Sequence, residues 1–329
     1  MHRFRTLFFA SLLAAPLAAQ DVHVQVSPQF PVSPDPTDKF PTIQMAMDHA
    51  VAPGPHGRLY VHILPGTYKE RVWISPERTR TTLLGMGTDP SQVTIVAGQS
   101  AKSSGGTFFS ETVQILATDF QADNITFQND AGPVGQAVAV AANADRAIFK
   151  HCRLLGDQDT LFANHGRQLY IESYIRGGTD FIFGNATAVF ERSELHEIRN
   201  GYLTAQSRTS DTQTTGYVID HSRVTTEPGA TQQFYLGRPW RAYSRVVYLD
   251  TEMPALLAPE GWHSWSTAPR NIQTTYYAEY RSTGAGAATT ARVGWSHQLT
   301  EKEAARFAPA AFLAGDDHWD ALAEAAKLP

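Results

Sequence analysis

Ile148-Phe149-Lys150-His151-Cys152-Arg153-Leu154 decides the fold, because three later stretches can be laid over it. They are Tyr170-Ile171-Glu172-Ser173-Tyr174-Ile175, Phe190-Glu191-Arg192-Ser193-Glu194-Leu195 and Val218-Ile219-Asp220-His221-Ser222-Arg223-Val224. Cys152, Ser173, Ser193 and Ser222 fall in register, in steps of 21, 20 and 29 residues. Each repeat is then one coil of a solenoid, with a loop inserted in the third step. A leucine-rich repeat shares this period but demands a Leu-x-x-Leu-x-Leu pattern, which is missing. The fold predicted is all-β, a single-stranded parallel β-helix. Cys152 is expected to be a small buried residue stacked on serines rather than a reactive thiol.

Outward from this repeat the chain keeps the same character. From residue 59 to about 249, short β-branched and aromatic runs are each closed by Gly, Asn or Asp: 59–64, 93–96, 147–149, 169–171, 189–190 and 217–219. Residues 42–51 place Ile43, Ala46, Met47 and Ala50 on one helical face. Thr300-Glu301-Lys302-Glu303 has the form of a capping box, so a short helix to about Phe307 is expected to cover an open end of the coil. Residues 20–38, rich in Pro and Ser, are expected to be an extended leader ahead of one domain spanning 39–329.

Composition narrows the function. Of 329 residues, 42% are hydrophobic and 18% charged, enough to bury a sizeable core. Lys plus Arg number 27 against 32 for Asp plus Glu, so no global positive field attracts nucleic acid or anionic lipid. The one cysteine excludes an internal disulfide and cofactors held by Cys clusters. Arg3 and Arg5, the mainly apolar run 7–17 and the small residues Ala18 and Ala19 read as a signal peptide over 1–19. The mature protein is therefore expected to be secreted or periplasmic, with no membrane association after signal removal, and monomeric by the default of such a fold.

The period turns spacing into geometry, since residues one coil apart stack at about 4.7–4.9 Å. Gln136 and Gln158 are 22 apart, and Asp159 and Asp180 are 21 apart, so all four are expected on one face. Two carboxylates that close disfavour joint ionisation: one should be raised and the other ordinary or lowered, giving an acid and a base or nucleophile. The Gln amides can donate to an oxyanion without adding charge. Arg238, in Leu236-Gly237-Arg238-Pro239-Trp240, could hold one aspartate ionised, and Trp240 offers a flat face to a sugar ring. Singly, each aspartate also reads as a turn residue.

These residues and the segments around them resemble the pectin methylesterases. Matching segments include Gly66-Thr67-Tyr68-Lys69-Glu70, Asn124-Ile125-Thr126-Phe127-Gln128-Asn129, Gly156-Asp157-Gln158-Asp159-Thr160-Leu161, Asp180-Phe181-Ile182-Phe183-Gly184-Asn185, Leu236-Gly237-Arg238-Pro239-Trp240 and Gly261-Trp262-His263-Ser264-Trp265. In order they cover about residues 38–310. The resemblance implies a right-handed parallel β-helix with short capping helices at its ends, acting on methylated homogalacturonan (pectin) without metal or cofactor. It implies Asp180 as nucleophile, Asp159 as general acid then base, and Gln158 as transition-state stabiliser. Gln136 becomes a substrate-contacting amide, Arg238 the arginine that orients the nucleophile, and Trp240 a sugar platform. Thr107, Phe181 and Trp262 fall where further cleft contacts lie. The type implied is bacterial and secreted, without the inhibitor-like region of many plant members.

Three positions depart from the family pattern. Asp157 stands where many members carry Tyr, and is expected to remove an aromatic sugar contact and add negative charge near the acid. Ala278 replaces a common Gly, and Gly166 interrupts a polar segment. Two rivals remain open at this level: a calcium-dependent lyase or an inverting hydrolase on the same polymer, and a non-catalytic β-helix adhesin.

Overall fold

The computed structural model describes residues 20–33 and 38–329. The expected signal peptide over 1–19 lies outside the described residues. Three sheets run the length of the molecule, with 12, 7 and 7 strands, and every strand pairing is parallel. One coil contributes one strand to each sheet: Leu161–His165, Arg167–Ile171 and Tyr174–Gly177 are followed one coil on by Ile182–Gly184, Thr187–Glu191 and Glu194–Glu197. This is a parallel β-helix, and the right hand of β-crossover-β connections applies to it.

The predicted strands are present, most of them lengthened by one or two residues, as in Val93–Ala97, Ala147–Lys150 and Gly216–Asp220. Inside the coil, identical positions stack. Phe149, Tyr170 and Phe190 form a continuous ring stack with centroid spacings of 4.8 Å. The Cys/Ser column is a hydrogen-bonded ladder: backbone N–H groups of Cys152, Ser173 and Ser193 donate to the Oγ of Ser173, Ser193 and Ser222 at 3.1, 3.2 and 2.9 Å. Thr251 extends the column, donating to the carbonyls of Ile219 and Leu249.

That column follows a corner where the chain leaves the 12-stranded sheet. The corner residues Asn124, His151, Glu172, Arg192, His221, Asp250 and Arg281 all have positive φ. A left-handed L-residue costs about 1–2 kcal/mol. The hydroxyls that follow offset it by satisfying backbone groups on the neighbouring coil.

The two ends differ from expectation in instructive ways. The leader contains a strand: Val22–Val26 pairs in register with Leu59–Ile63 and buries Val24 and Val26. It is a rung of the 12-stranded sheet, between Lys39–Phe40 and Leu59–Ile63, and its alternation puts apolar residues inward. The predicted helix forms over Ile43–His49, capped by Thr42, and buries Ile43, Ala46 and Met47 against this end. At the other terminus the capping box forms at Thr300, with Glu301–Ala304 helical and a 3-10 turn to Phe307. The helices Pro309–Leu313 and Ala321–Ala325, however, lie along the outer face of the 12-stranded sheet and not across its end. They cover Ile148, Leu169, Val189 and Val218, which point outward from strands whose alternate residues fill the coil. A sheet apolar on both faces needs such a cover.

Candidate active site

The cleft lies on the outer face of the seven-stranded sheet that contains Leu161–His165 and Ile182–Gly184. It is lined by Gln136, Gln158, Asp159, Asp180, Arg238 and Trp240, with Thr107 at its rim. Parallel bridges join Gln136 to Gln158 and Gln158 to Thr179, so these positions lie on three successive coils. Asp159 and Asp180 each precede a strand of this sheet, and both have positive φ, 65° and 50°. Asp tolerates this conformation better than most residues, and strained backbone of this kind clusters at functional sites.

Both aspartates are buried, at 8% and 5% exposure. Burial, and then the charge of Asp180, push Asp159 well above the usual carboxylate range. Burial also raises Asp180, whereas the sequence reading expected the second carboxyl to be ordinary or lowered. Arg238 opposes that rise with its charge and with two hydrogen bonds, Nε to Oδ1 at 2.9 Å and Nη2 to Oδ2 at 2.7 Å. The pair is thus asymmetric: one carboxyl is held by a guanidinium, and its neighbour faces that carboxylate without a cation of its own.

Arg238 is itself fixed. Its guanidinium lies between the rings of Tyr202 and Trp265, 4.0 and 4.2 Å from their centroids. The floor of the cleft is apolar, with Phe162 and Phe183 stacked at 4.7 Å and Trp240 beside Phe183. Phe108, about half exposed, packs on Phe162 from the rim. A chain of rings beside two carboxyls suits a sugar polymer that presents apolar faces and esterified acid groups.

Three expectations are corrected here. Trp262 is 1% exposed and sits in the coil interior, packed on Tyr248 and Tyr277 with Nε1 donating to Glu279. Trp265, three residues on, is the tryptophan of the cleft. Phe181 is also interior, at 0% exposure, and Phe183 takes the outward position. The signal for Phe183 was available: Phe162 lies 21 residues earlier, and the two pair in register. Asp157 does not line the cleft. It is buried and pairs with Arg199, so its charge is compensated away from the acid. Tyr202, which holds Arg238 with Trp265, carried no motif that spacing could single out, and within the 261–265 motif the sequence reading expected Trp262 rather than Trp265 in the cleft.

The profile of the pectinesterase family matches residues 29–316. The chain belongs to the pectinesterase family. It is 38% identical to Pectinesterase 31 of Arabidopsis thaliana over 309 residues, covering 91% of this chain and 96% of that one. Pectin methylesterase from carrot superposes with a TM-score of 0.83 at 33% identity, covering 94% of this chain and 97% of that one. Pectin methylesterase PemA from Erwinia chrysanthemi gives 0.73 at 29% identity, covering 91% and 98%. The pectinesterase/pectinesterase inhibitor U1 of Solanum lycopersicum is 36% identical over 309 residues, and the chain spans 88% of itself but about half, 52%, of that relative. The architecture is the right-handed parallel β-helix of these enzymes, and the chain is a carboxylic ester hydrolase of the same family.

Proposed function

We propose that this pectinesterase hydrolyses the methyl esters of polygalacturonate to pectate and methanol through Asp180 and Asp159. The observation that carries this reading is the bidentate Arg238–Asp180 pair beside a buried Asp159 whose proton affinity is raised. Asp180, kept anionic and oriented by Arg238, attacks the ester carbonyl carbon. The amides of Gln136 and Gln158 donate to the oxyanion that forms. Asp159 gives its proton to the methoxy oxygen, the C–O bond breaks, and methanol leaves an anhydride on Asp180. Asp159, now ionised, takes a proton from water; the hydroxide adds to the galacturonyl carbon and frees the carboxylate and Asp180. A carboxylate is a weak nucleophile, and an ester held in the cleft at high effective concentration compensates. Trp240 and the aromatic floor would seat the sugar rings, with Thr107 at the rim.

Export is part of the proposal and rests on the N-terminal sequence: Arg3 and Arg5, the apolar run and Ala18-Ala19. Among the described residues no helix is long and apolar enough to cross a membrane. The catalytic unit would comprise residues 39–329, joined by the strand Val22–Val26. A bacterial origin rests on the resemblance alone.

The test is methanol release from highly methylated pectin by the wild-type chain and by Asp180→Asn, with and without a chelator. Methanol from wild type only, without new reducing or unsaturated ends, is the expected result. Full activity in Asp180→Asn overturns the nucleophile, and chain cleavage would replace the esterase by a hydrolase or lyase.

A further inference from the structure

Outside the cleft, at the ends of two neighbouring strands of the 12-stranded sheet, two carboxylates face each other. Glu191 ends Thr187–Glu191, Asp220 ends Gly216–Asp220, and the two are direct partners in the parallel register. Their side chains are 8% and 6% exposed. Like charges directly opposite on adjacent strands destabilise a sheet, more so when buried. Arg192 answers one of the two, its Nη1 2.8 Å from Oε1 of Glu191. The other oxygen of Glu191, Oε2, is buried and has no hydrogen-bond partner. Oδ1 of Asp220 is also buried, and Nδ1 of His221 lies 2.7 Å from it.

A carboxylate oxygen of Glu191, one of Asp220 and a ring nitrogen of His221 lie within 4.8 Å of one another. No other group of three such donors comes together among the described residues. We propose that Glu191, Asp220 and His221 form a binding site for a divalent transition-metal ion of the zinc class, which staples adjacent coils of the β-helix. Donors on one tetrahedral ion with bonds of ~2.1 Å stand about 3.4 Å apart. The Asp220–His221 pair is already closer than this, and His221, 62% exposed, has room to turn toward the ion. One imidazole with two carboxylates favours zinc over calcium or magnesium, which prefer oxygen donors alone. His221 borders the open groove that also runs past His151, Glu172 and Asp250, so an ion can enter from the His221 side and water can complete its shell. The site joins the coil pair separated by a 29-residue step, and it is apart from the ester-cleaving cleft.

The test is titration of the purified, chelator-treated chain with ZnCl2, and in parallel with CaCl2 and MgCl2, by calorimetry and thermal unfolding. One zinc per chain is expected, with Tm rising by about 5 °C at ~100-fold excess over Kd. Glu191→Gln/Asp220→Asn should weaken zinc uptake at least ~30-fold with methanol release unchanged, and the exposed His221→Ala should weaken it ~10-fold or more in a fold that needs no repacking. Absence of zinc uptake by wild type, or equal uptake by the double variant, overturns the site. Stronger uptake of calcium than of zinc overturns the assigned class.

Discussion

Arg238 grips both carboxylate oxygens of Asp180 while its own guanidinium is stacked between Tyr202 and Trp265. The arginine therefore fixes charge and direction together. Lysine would supply the charge but neither the fork nor the stack. Arg238→Lys is expected to lower kcat/KM by about 10²–10³-fold. Arg238 favours ionised Asp180, so weakening it raises the Asp180 pKa and moves the acidic limb of the pH–rate profile to higher pH. A profile that stays in place while the rate falls would mean that Arg238 acts by geometry alone.

Burial and the charge of Asp180 raise the proton affinity of Asp159, and in the proposed mechanism it protonates the departing methoxy oxygen. Asn keeps the shape and removes the proton. Asp159→Asn should cut kcat ~10³-fold with KM within ~3-fold of wild type. A rise in KM at unchanged kcat would make Asp159 a binding residue.

Glu197 points into the coil at 1% exposure, with Oε1 accepting from the backbone of Arg199 and Oε2 unpartnered. Burial, reinforced by Asp180, pushes its carboxyl up to about 9. The folded state therefore keeps the proton that the unfolded chain loses above about pH 4.5. Stability from this group is complete below that pH and declines as pH rises toward 9, by up to ~1.4 kcal/mol per unit. Glu197→Gln should be near neutral at pH 4 and clearly stabilising at pH 8. Urea unfolding at the two pH values checks this, and a pH-independent difference would refute it.

Near the C-terminal end, Arg292 donates Nε and Nη2 to Glu279 at 2.9 and 3.1 Å, with both side chains at 3% exposure or less. Glu279 also accepts from Trp262. Removing one partner strands the other charge in the interior. Arg292→Ala should cost about 3–5 kcal/mol by denaturant unfolding, more than Arg281→Ala, whose arginine is exposed.

Cys152 is buried at 1%, its thiol proton held by burial. It should not react with a thiol reagent in the native protein and should react once unfolded. Cys152→Ser would continue the serine column and leave Tm within about 2 °C, as calorimetry can show.

A period near 21 residues in the sequence was enough to specify the coil, the Cys152–Ser222 ladder and the gathering of Gln136, Gln158, Asp159 and Asp180, while Arg238 and Trp240 were added by the chemistry of their side chains and the motif around them. Periodicity carries this information because parallel strands stack like positions on one another, whatever the intervening loops do. The same period, counted from Phe162, points to Phe183 rather than Phe181 as the outward position. What it could not assign are residues at the corners and in the loops. There the left-handed turns break the inward–outward alternation, so Phe181 goes inside, and Trp265 rather than Trp262 faces the cleft. Asp157 is turned to Arg199 by the path of the backbone between coils. Only the tertiary structure decides these, because a corner residue's direction depends on the φ and ψ that the whole stack imposes on it, while a strand residue's direction follows from counting.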